Sequence, residues 1–418
     1  MRLISYRDPD YEAWRQAMGR KATPDATVAA AVAQIILRVR SEGDEALRAL
    51  TRQFDGVDVD GIRLTDAPPR PPRQVAAALA DAKANIARFA GRQLPKDWRA
   101  RNRHGASVGE LFRPFERVGV YVPGGTAPLV STALMTVTLA KVAGCRQIAV
   151  VTPPPVNPIL HYAIRLAGAS EIYQVGGAQA IAALAFGTRT VPPVQKIVGP
   201  GNRYVIEAKR QILGTVAIDQ LPGPSEAMVI ADASANPALV ASDLLAQSEH
   251  GPDSSGILLT PSLALRDAVG AQIQAQLATL TRRAILERSL SAGCSLAHVR
   301  TLAQAIEIAN DYAPEHISLQ VRRPAALLSR IRNAGAIFLG AYSPIVAGDF
   351  IAGPSHTLPT GGAAKSFSGL TAGEFFRRTS IIEYSAPSLR RALPSIATFS
   401  SVEGLDAHGR SAAIRFER

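Results

Sequence analysis

The chain has 418 residues, 47% of them hydrophobic and 19% charged, a composition that allows two or three globular domains and excludes a disordered or fibrous protein. Its formal net charge of +12 comes mainly from scattered arginines without a long block of like charges, which favours a basic enzyme over a nucleic-acid-binding protein. The two cysteines, Cys145 and Cys294, are too few for a disulfide framework or a thiolate zinc cluster.

The first third of the chain is predicted to be mostly helical. Residues 1–20 form an arm without the apolar segment of a signal peptide. Residues 30–54 place apolar side chains on a helical stripe interrupted at Gly43, and residues 75–89 repeat the pattern after a proline-rich break at 68–72. Since no apolar run reaches the roughly 18 residues that cross a bilayer, we expect a cytoplasmic protein without a membrane partner.

From residue 117 onward, short apolar runs alternate with helical patterns. Strands are predicted at 118–122, 147–152, 171–175, 195–198, 227–230, 256–260, 316–321 and 336–339. Helices are predicted at 131–143, 158–167, 178–185 and 203–213, and a further one begins with the cap Asn236 before Pro237 and ends at Gly251. This alternation predicts an α/β fold with two mainly parallel sheets covered on both faces.

Three glycine-rich turns follow predicted strands, at residues 121–126, 175–179 and 199–202. Such turns let backbone N–H groups approach the phosphates of a ligand at the start of a helix. None of them matches G-x-G-x-x-G, and the chain contains no G-x-x-x-x-G-K-[ST] sequence. From the residues alone, each turn is more simply a tight structural connection than a nucleotide site.

Gln247 and His250 are three residues apart near the end of the helix that begins at Asn236, so both side chains leave the same face. An amide oxygen and an imidazole nitrogen on one face could bind a metal ion. The alternative is a histidine that caps the last helix carbonyls, and the spacing alone favours that alternative.

Glu315 and His316 are an adjacent carboxylate and imidazole, a pair able to transfer protons near neutral pH. Pro314 favours a loop or the entrance of a strand at this point, which a joint role of the two side chains requires. A solvated loop pair is an equally good interpretation of the spacing.

Two further polar pairs stand near the C-terminal end of the chain. Asp349 and His356 share a glycine-containing loop that an ordinary surface turn would also explain. Glu403 and His408 lie close to the C-terminus, where a tail is usually frayed unless it is docked.

Long motifs in a fixed order give the chain a specific resemblance to the histidinol dehydrogenases over nearly its whole length. The motifs are SEGDEAL at 41–47, GVYVPGGTAP at 119–128, VGGAQA at 175–180, GPGN at 199–202, ID at 218–219, GPSE at 223–226, DLLAQSEHGPD at 243–253, APEH at 313–316, AGD at 347–349, HTLPT at 356–360 and EGLDAH at 403–408. So many motifs in one order are far more specific than a lone glycine turn.

The resemblance implies an NAD-dependent zinc enzyme that oxidises L-histidinol through L-histidinaldehyde to L-histidine, the last steps of histidine biosynthesis. It implies one zinc per subunit, bound by Gln247, His250, Asp349 and His408, a donor set that suits zinc although glutamine is an uncommon ligand. It also implies that His316 is the general base for the hydroxyl proton. Glu315 would activate the water that hydrates the aldehyde.

The same resemblance implies the remaining contacts of the site. The implied NAD contacts are Tyr121, Gln179 and Asn202, one in each glycine turn, in a family that binds NAD without the usual fingerprint. The implied substrate contacts are Ser225, Gln247, His250, Glu315, His316, Asp349, His356, Glu403 and His408. A homodimer is implied whose tail reaches the site of the partner subunit, so that Glu403 and His408 act in trans.

The fold implied by the resemblance is α/β, with two Rossmann-like parallel-sheet domains, a helical N-terminal arm and a C-terminal tail in an intertwined homodimer. The predicted division is an arm at 1–20, a discontinuous first domain at 21–120 plus 227–369, a second, NAD-contacting domain at 121–226, and a dimerisation tail at 370–418.

Two positions depart from the pattern of the family. Pro222 stands where the pattern usually has alanine, and Ser355 where asparagine commonly precedes the histidine. Because Ser355 adjoins His356, a related enzyme that oxidises another small amino or hydroxy alcohol to its acid is an alternative. A basic nucleic-acid-binding or regulatory protein without catalysis is the alternative from another class, and the scattered charge argues against it.

Overall fold

The computed structural model of the protein describes residues 1–18, 25–124 and 128–417. The strands are β1 (Arg2–Ser5), β2 (Trp98–Arg101), β3 (Ser107–Pro114), β4 (Arg117–Tyr121), β5 (Gln147–Thr152), β6 (Glu171–Gln174), β7 (Lys196–Val198), β8 (Ala217–Ile218), β9 (Glu226–Ala231), β10 (Ser255–Thr260), β11 (Cys294–His298), β12 (His316–Gln320), β13 (Ala336–Leu339) and β14 (Phe376–Glu383).

Helices connect most of these strands. The α-helices are α1 (Tyr11–Ala17), α2 (Ala26–Glu42), α3 (Asp44–Asp55), α4 (Arg73–Ala90), α5 (Val130–Ala143), α6 (Pro158–Ala167), α7 (Gly177–Phe186), α8 (Arg203–Ile212), α9 (Pro237–Ser248), α10 (Leu263–Leu277), α11 (Arg283–Gly293), α12 (Leu302–Tyr312), α13 (Ile345–Phe350), α14 (Ala386–Glu403) and α15 (Asp406–Ala413). Short 3-10 helices cover Gly91–Gln93, Pro324–Arg330, Ala363–Lys365, Ala372–Phe375 and Ile414–Phe416.

The first sheet has the strand order β1-β11-β10-β9-β12-β13, and its neighbouring strands are parallel. The central strands β9, β10 and β12 are buried along their whole length. Both faces are covered, which explains why these strands read as continuous apolar runs rather than as alternating patterns. The predicted parallel sheet in this part of the chain is confirmed.

The second sheet has the order β6-β5-β4-β7-β8, and its strands are also parallel. Its helices begin and end where the sequence places capping residues. Asn157 accepts hydrogen bonds from the first backbone N–H groups of α6, and Gly168 ends that helix in the left-handed region. The predicted pair of parallel sheets is therefore confirmed.

Helices α2, α3 and α4 pack on the second sheet rather than on the first, whereas α1 packs on the first. Helix α2 shares an apolar core with α7 and α8, and α4 packs on α5. The predicted boundary between residues 120 and 121 falls within β4, a central strand. Strand β1, from the predicted arm, pairs with β11 of the first sheet. We therefore propose a revised division that groups residues 26–90 and all of β4 with the second sheet.

A third, antiparallel sheet was not predicted from the sequence. Strand β14 pairs with β3, and β3 with β2, so that the segment after residue 369 docks on residues far back in the chain. The helical hairpin of α14 and α15 follows. No helix in the described part of the chain is long and apolar enough to cross a membrane.

Candidate active site

The polar residues singled out from the sequence meet at the amino edge of the first sheet. Ser225 directly precedes β9, and Glu315 directly precedes β12. Helix α9 runs back from the carboxyl edge and ends at Ser248, so its last turn returns Gln247 to the edge where β10 starts beside β9. His250 lies two residues beyond the end of this helix, so the prediction that the helix continues to Gly251 and carries both residues is wrong. Helix α13 adds Asp349.

His316 is buried at the start of β12, with its two ring nitrogens in different surroundings. Nδ1 lies 3.2 Å from the backbone oxygen of Glu226, which can only accept, so Nδ1 carries the proton and donates it to that bond. Nε2 is then the basic nitrogen of the neutral ring, and it lies 3.8 Å from Oδ1 of Asp349. The ring is thus held in the tautomer that a general base needs.

Glu315 is buried beside His316, and one of its oxygens is already held in place. Its Oε2 accepts hydrogen bonds from Oγ of Ser225 at 2.6 Å and from the backbone N–H of Glu226 at 2.8 Å. Burial raises the pKa of the Glu315 carboxyl, although the neighbouring His316 opposes the shift. A carboxyl with a raised pKa is suited to taking and returning a proton near neutral pH.

Asp349 brings the two histidines of the site together. Its Oδ2 lies 3.8 Å from Nε2 of His250, and its Oδ1 lies at the same distance from His316. Burial raises the pKa of Asp349, but the contact with His250 and the charges of the histidines outweigh burial and leave the pKa below its usual value. The same contact raises the pKa of His250.

Gln247 is 1% exposed, and neither atom of its amide has a hydrogen-bond partner among the described residues. A buried polar group without a partner costs about 1–3 kcal/mol, so such a group in a native site points to a ligand. With His250 and Asp349 it supplies an amide oxygen, an imidazole and a carboxylate. This donor set fits a zinc ion.

His356 links the first sheet to the second. Its Nδ1 donates to the backbone oxygen of Asp349 at 3.1 Å, and its Nε2 accepts from Oγ1 of Thr132, in the first turn of α5, at 2.9 Å. Burial lowers the pKa of His356. Nothing in the sequence signals the role of Thr132. The neighbouring Ser355 accepts a hydrogen bond from the backbone of Thr357.

Glu403 and His408 lie elsewhere in the chain, on the C-terminal helical hairpin. With His104 and Tyr384 they line a cavity of about 330 Å³, and both are exposed to solvent. Within residues 1–18, 25–124 and 128–417, no group of three or more His, Cys, Asp or Glu side chains is arranged to hold a metal ion. One chain therefore brings Gln247, His250 and Asp349 to one place without His408.

The three glycine turns meet at the carboxyl edge of the second sheet. Tyr121, Gln179 and Asn202 line one cleft of about 1670 Å³. Gln179 is buried and its amide has no hydrogen-bond partner among the described residues, whereas Asn202 caps α8 through its side-chain oxygen. Of the first turn, residues 125 and 126 lie outside the described residues. At about 1670 Å³ the shared cleft is larger than the usual ligand pocket of about 300–1,000 Å³ and has room for a large ligand.

A buried ion pair supports the last of these turns. Lys209 pairs with Asp219, and both side chains are hydrogen-bonded to the backbone of Gly199. Lys209 donates to the Gly199 oxygen at 3.0 Å, and Asp219 accepts from the Gly199 N–H at 2.7 Å. Gly199 has φ +113°, and a Cβ there would stand 2.2 Å from the backbone oxygen of Tyr121. Asp219 lies in one of the motifs, but nothing in the sequence signals its pairing with Lys209.

Comparisons with known proteins find relatives that match nearly the whole chain. A family model described as histidinol dehydrogenase matches residues 18–416. A histidinol dehydrogenase of Heliobacterium mobile is 44% identical over the full length of both chains, and one of Vibrio vulnificus is 44% identical over 95% of this chain and 94% of its own. The crystal structure of histidinol dehydrogenase from Elizabethkingia anophelis is 33% identical, with a TM-score of 0.94 over 100% of this chain and 98% of that one.

Proposed function

This chain belongs to the histidinol dehydrogenase family of oxidoreductases, and from this premise we propose that it oxidises L-histidinol through L-histidinaldehyde to L-histidine in the cytoplasm. Each molecule of alcohol would consume two NAD⁺ and one water and yield the carboxylate, two NADH and three protons. The observation that carries the proposal is the buried His316, whose Nδ1 lies 3.2 Å from the backbone oxygen of Glu226 and whose Nε2 lies 3.8 Å from Oδ1 of Asp349.

Zinc would be held by Gln247, His250 and Asp349, with His408 of the partner subunit as the fourth protein ligand. The unpartnered amide of Gln247 supports this set, because a metal would satisfy it. When bound, zinc supplies a Lewis acid that polarises the substrate oxygen and orients the molecule. The absence of His408 from the cluster in one chain supports a homodimer with shared sites.

His316 would take the hydroxyl proton at Nε2, while its Nδ1–H stays bonded to the backbone of Glu226. That bond fixes the ring and disperses the positive charge that develops. NAD, bound at the carboxyl edge of the second sheet, would supply the acceptor for the hydride of the carbinol carbon. Tyr121, Gln179 and Asn202 would bind that NAD in their common cleft.

Glu315 would serve the second oxidation, in which water adds to the aldehyde carbon. Its Oε2 is engaged by Ser225 and Glu226, so its other oxygen, Oε1, is the atom that takes the proton of the water. Ser225, His356 and the partner subunit's Glu403 would complete the substrate pocket. His356 would shape the pocket by the position of its ring, since both of its ring nitrogens are already hydrogen-bonded within the protein.

Glu315→Gln should slow the conversion of aldehyde to acid by about 10²-fold while it slows the oxidation of alcohol to aldehyde much less. The amide keeps a hydrogen-bond acceptor for Ser225 but cannot take a proton. The measurement is single-turnover NADH formation from histidinol and, separately, from histidinaldehyde. Glu207→Gln, at a buried carboxylate on α8 paired with Arg210, is the matched control. Equal losses in both half-reactions would contradict this role.

The test of the overall proposal is NADH production from L-histidinol with its stoichiometry. Two NADH for each substrate, with L-histidine as the product, is the expected result. One NADH for each substrate would contradict the four-electron reaction. Turnover with other small amino or hydroxy alcohols but not with L-histidinol would favour the related dehydrogenase, for which Ser355 beside His356 is the structural argument.

A further inference from the structure

Asp243 is a buried carboxylate one helical turn before Gln247 on α9, outside the site described above. Its Oδ2 accepts a hydrogen bond from Nε2 of Gln320, the last residue of β12, at 2.8 Å. The backbone N–H of Ile345, the first residue of α13, also faces the carboxylate and favours its charged form, which lowers its pKa. Burial raises its pKa to about 6, so a charged group here is costly and the two donors offset part of that cost.

The two helices that Asp243 connects carry the proposed metal ligands at equal distances from it. Gln247 follows Asp243 by four residues on α9, and Asp349 follows Ile345 by four residues on α13. A helix rises about 1.5 Å per residue, so each ligand lies about 6 Å along its own helix from the residue at the contact between Asp243 and Ile345. This contact between α9 and α13 therefore bears on the spacing of residues 247 and 349.

Helix α13 has six residues and depends on its neighbours for its position. Its N-terminal cap is Pro344, which has no side-chain hydrogen bond to offer, so Asp243 supplies the acceptor that the first turn lacks. Through Gln320, Asp243 is also anchored to β12, the strand that begins with His316. One carboxylate thus joins the three elements that carry Gln247, Asp349 and His316.

We propose that Asp243 is a positioning residue that sets the spacing of Gln247 and Asp349 and so preorganises the zinc site. The proposal rests on the zinc ligands of the proposed function. Asp243 does not contact the metal or the substrate. Its effect is on how well the ligands are placed before the metal arrives.

The test is the affinity of the purified homodimer for zinc alone, measured by competition with a chelator and without substrate or NAD. Asp243→Asn keeps the size of the side chain but removes the charge and one of the two acceptor oxygens. We expect its zinc affinity to fall about 10–100-fold. NAD affinity should stay unchanged, because the cleft that contains Gln179 lies on the second sheet.

Asp44→Asn is the matched control. Asp44 is as buried as Asp243 and also accepts from a backbone N–H and a side chain, both of Thr190, but it lies beside the second sheet. It should lose thermal stability and keep zinc affinity. Gln320→Met, which removes one donor and leaves Asp243 intact, is the second variant if Asp243→Asn does not fold, and it should also weaken zinc binding.

The outcomes separate this proposal from the zinc assignment. If His250→Ala loses zinc affinity while Asp243→Asn and Gln320→Met both stay within about two-fold of Asp44→Asn, the positioning role is wrong and the zinc site stands. If His250→Ala binds zinc as tightly as the unmodified protein, the assignment of the ligands is wrong and the role of Asp243 falls with it.

Discussion

Replacing His316 with asparagine is expected to lower kcat for histidinol oxidation by about 10²–10⁴-fold, the usual contribution of a positioned general base. The asparagine amide can still donate to the backbone oxygen of Glu226, as Nδ1 of His316 does, so the start of β12 keeps its local bonding. It has no basic nitrogen to take the hydroxyl proton. The zinc content of the variant should remain that of the unmodified protein, since His316 is not among the proposed ligands.

Steady-state NADH formation and metal analysis of the same preparation check this result. His298→Asn is the matched control, because His298 is also a buried histidine at the end of a parallel strand in the first sheet, bonded to Ser5 at the opposite edge. The control should keep kcat within about two-fold even if it is less stable. Turnover of His316→Asn that equals the control would remove His316 as the base.

The placement of the base explains why the fold needs two sheets. The proposed metal ligands and the proposed base lie at the amino edge of the first sheet. The residues proposed to bind NAD lie at the carboxyl edge of the second sheet, where open α/β sheets usually bind small molecules. The hydrogen bond from Thr132 to His356 joins these two edges. A hydride can pass between substrate and nicotinamide only if the edges are held together.

The regular elements of both parallel sheets could be predicted from the sequence. The strands at 147–152 and 336–339 and the helix at 158–167 have the predicted bounds. In each, a short apolar run or a helical stripe is bounded by residues that stop it, such as Asn157 and Gly168 around α6. The residues that end a helix or a strand are its neighbours in the sequence, so its bounds can be predicted without knowledge of the fold.

Long-range pairing could not be predicted in the same way. Strand β2 has only four residues and is exposed along its length, and β3, with which it pairs, also pairs with β14, far away in the chain. An amphipathic stripe shows that α2 has a face to bury but does not say which sheet receives it. This is why the sequence alone places residues 21–120 in the first domain, whereas the helices within residues 26–90 pack on the second sheet.

The candidate site shows the same division between local and long-range information. The spacing of Gln247 and His250 suggested a shared face, and the family motifs implied roles for them. Contacts that depend on packing had no sequence signal. Thr132 meets His356 from the other sheet, and Asp243 meets the start of α13 from an adjacent helix.

Mixing two inactive variants is expected to restore activity if the sites are shared between subunits. In a homodimer of His316→Asn and His408→Ala chains, one site carries both substitutions and the other carries neither. Random reassociation of equal amounts makes half of the dimers heterodimers, and each heterodimer has one unmodified site of two. Activity should therefore rise to about a quarter of that of the unmodified protein, whereas each variant alone has activity at least 10²-fold below that of the unmodified protein. The separate placement of His408 on the C-terminal hairpin is the reason to expect this.

The measurement is NADH formation after the two variants are mixed, dissociated and reassociated, beside each variant treated alone. Mixing His316→Asn with Glu315→Gln is the control, because both residues come from the same chain. Every heterodimer site then carries one of the two substitutions, so no unmodified site can form. Recovery of activity in the control mixture would indicate contamination with unmodified protein rather than active sites shared between subunits. No recovery in the mixture that contains His408→Ala, despite heterodimers demonstrated by a size or affinity tag, would rule out a ligand supplied in trans.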